Sequence, residues 1–595
     1  MVRRIIYTPV RHSHVITTFG PGALSISENG VSVLTCGPLT WLRSYRMDLP
    51  TRKETLDDLT IRDSHMERRL GISRIIAPWP LSDDPGTKTD WFIPAVRFPL
   101  AEFCSNHECR RFRRANPADG KWGRCDACGS GRRRRQTLQV PVVLACRTGH
   151  LADVPWESWL HEGSLCSNPV IKYVPTARPS QPSLECTTCG RSRRLTDADS
   201  FACPGERPWL PGLAAENCGE RARVIERTST SLYYAETSSS LAIPPVGNTN
   251  SVLLRQLRSN AVLIRLRNVY EDERSPAALR QIVDGCASLG IATDETEVQE
   301  HLEGLAAQDQ EMEGLDEAAM RERELLAMLS RRARTTRGRG QPDLIVEPMS
   351  MDAYEDSPLL RKLAAVSLVS RLREVRVLRG FGRIQPPASD RPASDGYQQM
   401  WGSSRNDDDS SKDADWLPGC EVFGEGILLV LDQGAIEEWL GRNQSSHRLQ
   451  SVQGGNPPYV LAHTLAHLVM RAAAQYAGYP LPSLRERIYE IRGRLGLLVY
   501  TTVGDLEGTM GGLVALGQPG RFEALLGEAV TTAEWCTTDP VCIEDGMALG
   551  LPGTTSPGAC HHCLLLPETS CERRNRELDR AVIIGAPGDR CGFFD

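Results

Sequence analysis

The sequence predicts a mixed α/β, multidomain protein whose loop-rich parts are built around metal. Three observations lead there. The chain has 595 residues, which at about 150 residues per domain is room for about four folding units. Apolar runs of strand length and helix length follow one another, and a hydrophobic fraction of 40% suffices for sizeable cores. The 19 cysteines are clustered: ten lie between Cys104 and Cys218 and six between Cys536 and Cys591, with only Cys36, Cys286 and Cys420 apart.

This composition excludes several classes. A chain of this length does not depend on crosslinks, so it is not a small disulfide-stapled scaffold. A net charge of -6 and a pI near 6.1 give no global attraction for nucleic acid, so any such footprint must be local. No run reaches the roughly 18 apolar residues of a membrane span, and MVRRIIYTPVRHSH lacks the apolar core of a secretion signal. A cytosolic location is expected. In a reducing compartment, paired cysteines read better as metal ligands than as disulfides.

Five parts follow in order. Residues 1–103 are mixed β and loop, with a tight turn at Phe19-Gly20-Pro21-Gly22 and short strand-like runs. Residues 104–220 have the texture of small loop-built zinc modules. Residues 221–340 open on a β-like segment and continue as a charged helical region, read as solvated helices, before a flexible TTRGRGQP joint. Residues 341–530 form an α/β domain. Its start, LLRKLAAVSLVSRLREVRVLRGFGRI, is expected as a helix to about Arg371 and then a strand. A mobile loop is expected from Pro386 to Asp415, then a buried strand at EVFGEGILLVLD and a short helix at AIEEWL. LAHTLAHLVMRAAAQYAG is the clearest helix, stopped at Gly478. Arg485, Glu486, Arg487 and Glu490 read as ion pairs at a helix start, followed by a strand at LGLLVYTTV. Residues 531–595 carry the second cysteine cluster.

Spacing then suggests ligand sets. Cys104-x4-Cys109 and Cys125-x2-Cys128 make one four-thiolate site, because two cysteines two apart chelate from one tight turn and a second pair closes the tetrahedron. Cys186-x2-Cys189 with Cys203 and Cys218 makes a second. Between them, Cys146, His150, His161 and Cys166 form a possible third site of mixed type. In the C-terminal cluster Cys560 and Cys563 are the anchors, Cys542 and Cys571 complete the set, Cys536 is the reserve and Cys591 the weakest candidate. All are closed sites, so the ion, expected to be Zn2+, is structural.

No active site emerges. G-x-x-x-x-G-K-[ST] and G-x-S-x-G are both absent. His463 and His467 share one helix face at i and i+4, but the glutamate of H-E-x-x-H is missing; a packed pair is the first reading and a metal role the second. Asp505 and Glu507, on a polar loop, are the other residues an enzymatic reading would use. The chain therefore reads as non-catalytic.

Basic charge does concentrate locally. Ten Lys/Arg face three acids between Cys104 and Arg135, a net of +7, with Arg110, Arg111, Arg113, Arg114 and Arg132, Arg133, Arg134, Arg135 around the first cysteine set. Such a skirt suits phosphate contact through arginine forks, or docking on an acidic protein. Arg191, Arg193 and Arg194 repeat the theme beside Cys189.

Several long segments, in order from about residue 12 to Arg580, carry a family resemblance: HSHVITTFGPGAL, CPGERPWL, EVFGEGILLVLD, LAHTLAHLVMRAAAQYAGYPLPSLRERIY, GDLEGTMGGLV and ACHHCLLLPETSCERRNRELDR. They resemble the DrmB family of the DISARM anti-phage defence system. The C-terminal half also looks like a cysteine-bearing domain appended to certain DNA helicases. The resemblance implies an accessory subunit that pairs with the helicase-like ATPase DrmA and acts with it on DNA, while methyltransferase partners mark the host's own. It also implies Cys542, Cys560, Cys563 and Cys571 as zinc ligands and His463 and His467 as a helix signature. Departures lie at LEGTMGG, where relatives are more glycine-rich, and in the acidic loop around Asp407.

Overall fold

A computed structural model describes residues 12–27, 30–41, 59–61, 63–78, 93–116, 123–128, 135–164, 166–175, 182–194, 200–243, 253, 256–257, 260–312, 316–330, 343–386, 400–401, 415–452, 455–501, 511–544, 558–567 and 570–595. The architecture is mixed α/β and multidomain. The chain forms two compact units: residues 1–239 with 376–420, and residues 240–375 with 421–595. It passes between them inside three strands, Tyr234–Leu241, Leu363–Gly382 and Trp416–Leu431.

The first unit is assembled from short antiparallel sheets. Ala101–Cys104 is flanked by Phe112–Arg114 and Thr137–Gln139; Val142–Ala145 lies between Leu151–Ala152 and Arg221–Glu226, which also pairs Phe201–Ala202. Ile171–Val174, Ser183–Cys186 and Ser192–Arg194 form a third sheet. Strands this short do not hold a sheet unaided. They pack around one apolar cluster in which Tyr173 stacks on Phe103 at 4.4 Å and meets Trp156 edge-on at 5.9 Å.

The second unit has a larger core. The helix Pro457–Ala477 has Asn456 as N-cap, proline in its first turn and Gly478 in the left-handed conformation at its end (φ 74°). Leu461, Leu465, Leu468 and Val469 are fully buried along it. Beneath lies a hairpin, Leu484–Ile491 paired with Arg494–Thr501, which pairs in turn with residues 425–430 of the Trp416–Leu431 strand. Its two-residue turn, Arg492-Gly493, takes positive φ at both positions (48° and 79°), as the twist of an antiparallel hairpin favours. The charged region is a set of helices, Ala261–Glu273, Pro276–Ser288, Glu295–Met312 and Glu317–Leu329.

Two local expectations are corrected. Leu363–Gly382 is a single strand throughout: the segment expected as a helix to Arg371 pairs with Leu344–Met349, and Val366, Leu368 and Val369 are buried. Its Leu, Arg and Ala favour helix, but pairing and burial override a preference worth only tenths of a kcal/mol per residue (about 0–0.7). Arg485, Glu486, Arg487 and Glu490 lie on the Leu484–Ile491 strand rather than at a helix start, with Glu486 and Arg487 buried. The loop containing Asp505 and Glu507, the acidic loop at Asp407, the TTRGRGQP joint and Arg132, Arg133 and Arg134 lie outside the described residues.

Candidate metal centres

Four sulfur-rich groups form among the described residues. In the first, Cys104 ends a strand, Cys109 closes the turn after it, and Cys125 and Cys128 come from a second turn. The Sγ atoms of Cys104 and Cys128, and of Cys109 and Cys125, lie 3.7 Å apart. A tetrahedron with Zn–S bonds of about 2.3 Å places its sulfurs about 3.8 Å apart. The spacing is that of ligands around an ion, far beyond the roughly 2.05 Å of a disulfide. His107, 83% exposed on its side chain, stands outside the group.

The other two N-terminal groups are nested. Cys146 and His150 join Cys203 and Cys218, while His161 and Cys166 join Cys186 and Cys189. The sequence reading instead kept Cys186, Cys189, Cys203 and Cys218 together. Strand pairing explains the exchange: Arg223 sits opposite Ala145 and Ala202 opposite Arg221, which carries Cys203 and Cys218 to the Cys146–His150 turn. The Cys186–Cys189 turn, at the end of its own hairpin, faces the short helix Trp156–Leu160 and the residues after it.

Each histidine here is oriented from behind. His161 Nδ1 donates to Glu157 O at 2.7 Å, leaving Nε2 toward Cys166 Sγ at 3.5 Å. His150 turns Nε2 to Glu216 and Nδ1 to Cys146 Sγ at 3.3 Å. A carboxylate or carbonyl behind a histidine is the usual support of a metal ligand.

In the C-terminal group Cys536, not Cys571, joins Cys542, Cys560 and Cys563. Sulfur separations are 3.4 Å for Cys536–Cys560 and 3.7 Å for both Cys542–Cys563 and Cys560–Cys563. Cys591 is buried elsewhere, its thiol donating to Ala581 O at 3.6 Å. Cys571 sits beside His463.

The thiols are polarised within each group. The Cys109 thiol lowers Cys128, whereas burial pushes Cys104 up to about 12. Burial works against ionisation of Cys146, but His150 and Thr148 outweigh it and bring it to about 6. Burial opposes ionisation of Cys186 as well, and the Cys189 N–H and His161 bring it to about 6. Cys563 falls to about 5 through its contact with Cys542, helped by the buried Arg580 guanidinium. Four packed thiols cannot all ionise by themselves; a divalent cation removes that conflict and deprotonates them together.

The arginine skirt is partly engaged inside the protein. Arg113 Nε lies 2.9 Å from buried Glu102 and Arg114 pairs with Asp153 at 3.5 Å. Arg110 lies over the Phe103 ring at 5.4 Å. Arg111 and Arg135 are exposed. Beside the third group, Arg191 donates to His161 O and Arg193 to Trp159 O, both at 2.7 Å. Among the described residues, no helix is long and apolar enough to cross a membrane.

Comparison with known proteins follows the same division. Residues 11–234, which contain the first three groups, match a domain of unknown function, DUF8724. Residues 465–564, which contain the fourth, match the MrfA Zn-binding domain. The chain is a distant homologue of DISARM protein DrmB from Bacillus paralicheniformis, 26% identical over 534 residues, covering 83% of this chain and 89% of that protein.

Proposed function

We propose that this chain is a non-catalytic, zinc-stabilised accessory subunit of a DISARM-type anti-phage defence complex. In this reading it docks on the helicase-like ATPase DrmA and helps that motor engage DNA. The observation that carries it is the similarity to DrmB along most of both chains, with 14 cysteines and two histidines falling into four groups of four candidate ligands. Each sulfur-rich group holds one Zn2+, the ion that accepts four thiolate or imidazole ligands on irregular loops. With every position filled by the protein, the ion contributes folding energy and leaves no site for water activation.

DNA contact is assigned to Arg110, Arg111, Arg113, Arg114 and Arg132 to Arg135, with Arg111 and Arg135 the best placed by their exposure. A scaffold touching only protein is the second reading, favoured by the pairing of Arg113 with Glu102 and of Arg114 with Asp153. The assembled complex separates the two. Replacing Arg132, Arg133, Arg134 and Arg135 by alanine should weaken binding to labelled DNA and flatten its salt dependence, by about one unit of slope per lost phosphate contact. Unchanged affinity and slope would leave the scaffold reading standing.

A further inference from the structure

A fifth group lies in the second unit, apart from the four thiolate-rich ones. His463 and His467 project from one face of the Pro457–Ala477 helix at i and i+4, Glu486 comes from the Leu484–Ile491 strand, and Cys571 from the C-terminal loops. Their ligand atoms all lie within 4.8 Å of one another, and all four residues are buried. His463 Nε2 is 3.1 Å from Cys571 Sγ and 2.9 Å from Glu486 Oε1, and His467 Nε2 is 3.3 Å from Glu486 Oε2.

The hydrogen-bond arrangement points to what sits between them. His463 Nδ1 lies 3.1 Å from Glu577 O and His467 Nδ1 lies 2.9 Å from Leu564 O. A carbonyl oxygen only accepts, so each Nδ1 carries the proton. In a neutral imidazole each Nε2 then presents a lone pair. Two lone pairs, a carboxylate and a sulfur therefore converge, with the Asn575 N–H donating to that sulfur from behind at 3.2 Å. An imidazolium–carboxylate pair would align an Nε2–H on a carboxylate oxygen. Here His467 Nε2 and both Glu486 oxygens are fully enclosed and make no aligned hydrogen bond.

We propose that His463, His467, Glu486 and Cys571 hold one divalent transition-metal ion, Zn2+ by their mixed nitrogen, oxygen and sulfur donors. The observed separations are within about 0.7 Å of the edges of a tetrahedron with bonds of 2.0–2.3 Å. One thiolate and one carboxylate balance a divalent charge, so the occupied site is neutral and can be buried without a counter-ion. The ion clamps helix, strand and C-terminal loop together, a join reinforced where Glu486 N donates to Ser570 O at 3.3 Å. It is a structural clamp, distinct from the Cys536–Cys563 group, and stands whether or not the chain serves a helicase.

The test compares metal content between full-length chains. Purified from zinc-supplemented medium, the wild-type should carry one more zinc per chain than Cys571→Ser, with circular dichroism confirming that the variant is folded. Reading the difference removes any dependence on how fully the other groups load. Equal zinc in two folded chains overturns the proposal. Should Cys571→Ser fail to fold, Cys571→His retains a ligand at the position. In cobalt-substituted protein its thiolate-to-metal charge-transfer absorbance should fall by one thiolate's contribution; an unchanged band overturns the proposal equally.

Discussion

Residues 101–226 and residues 421–595 both gather cysteines into four-residue groups, two of which in the first region include a histidine, yet they enclose them differently. In the first region Cys109, Cys128, Cys166 and Cys218 are only half buried and Cys189 is exposed; in the second, all of Cys536, Cys542, Cys560 and Cys563 are buried. The strands of the first are two to six residues long. The second leans on a 21-residue helix and a hairpin of two eight-residue strands. On the proposal that each group holds zinc, the difference teaches what metal does in each: it reinforces a small core whose strands are too short to hold it unaided, and it fastens loops onto a larger core.

The largest effect should come from removing the metal. A structural zinc in a small module is worth about 10–16 kcal/mol of folding free energy. Chelation of the native chain should therefore abolish amide-exchange protection in residues 101–226, while the hairpin Leu484–Thr501 and the helix Pro457–Ala477 keep theirs. Simultaneous loss in both regions, followed by hydrogen-exchange mass spectrometry, would break the comparison.

Next in size is a buried ion pair that joins the second region to the helix Glu317–Leu329. Arg487 Nε and Nη2 donate to the two oxygens of Glu324 at 2.6 and 2.7 Å, and Tyr489 OH adds a bond at 3.2 Å. Arg487→Met leaves the carboxylate enclosed without its partner, and should cost about 3–5 kcal/mol. Arg487→Met with Glu324→Leu should recover most of that loss in denaturant titrations. A single variant within about 1 kcal/mol of wild-type would show that this core does not depend on the pair.

What was legible in the sequence followed the same contrast. The Cys125–Cys128, Cys186–Cys189 and Cys560–Cys563 turns could be read directly, because two cysteines on one tight turn need nothing distant to explain them. The nesting of Cys146 and His150 with Cys203 and Cys218 could not, since it depends on Arg221–Glu226 pairing with Val142–Ala145 across some 80 residues. Glu486 was missed for another reason: charged residues in LRERIYEI look like an exposed helix start, whereas the strand buries Glu486 and Arg487. The i, i+4 histidines and a C-terminal cluster with two cysteines more than one four-ligand site needs were the signals that could have exposed the fifth group. The helix carrying those histidines was readable from its apolar face and its glycine stop.

Two glycines sharpen the comparison at smaller scale. Both adopt positive φ, Gly205 at 69° beside Cys203 and Gly478 at 74° after the long helix. A Cβ at Gly205 would fall 1.8 Å from Glu216 O, in the backbone. Gly205 N donates to Cys203 Sγ at 3.4 Å and Glu216 N to Gly205 O at 3.1 Å, so any shift reaches the metal group and the carboxylate behind His150. Gly205→Ala should cost on the order of 2 kcal/mol or more from backbone conformation and clash together. It should also release zinc from the first region, measured as a faster transfer of metal to a chromophoric chelator. An unchanged transfer rate would separate this backbone from the metal group.

Gly478→Ala is the matched control, with the smallest expected effect. Nothing lies within 4 Å of a Cβ built at Gly478, so the substitution carries only the conformational penalty of a left-handed residue. The Gly478 N–H still donates to Ala474 O, at 3.2 Å, since alanine keeps that donor. A loss of about 1 kcal/mol in denaturant titration is expected, with zinc content and transfer rate unchanged. The two substitutions ask the same backbone question of both regions. If Gly478→Ala also released zinc, the C-terminal ions would be holding the helix end in place, and the core would not stand without them.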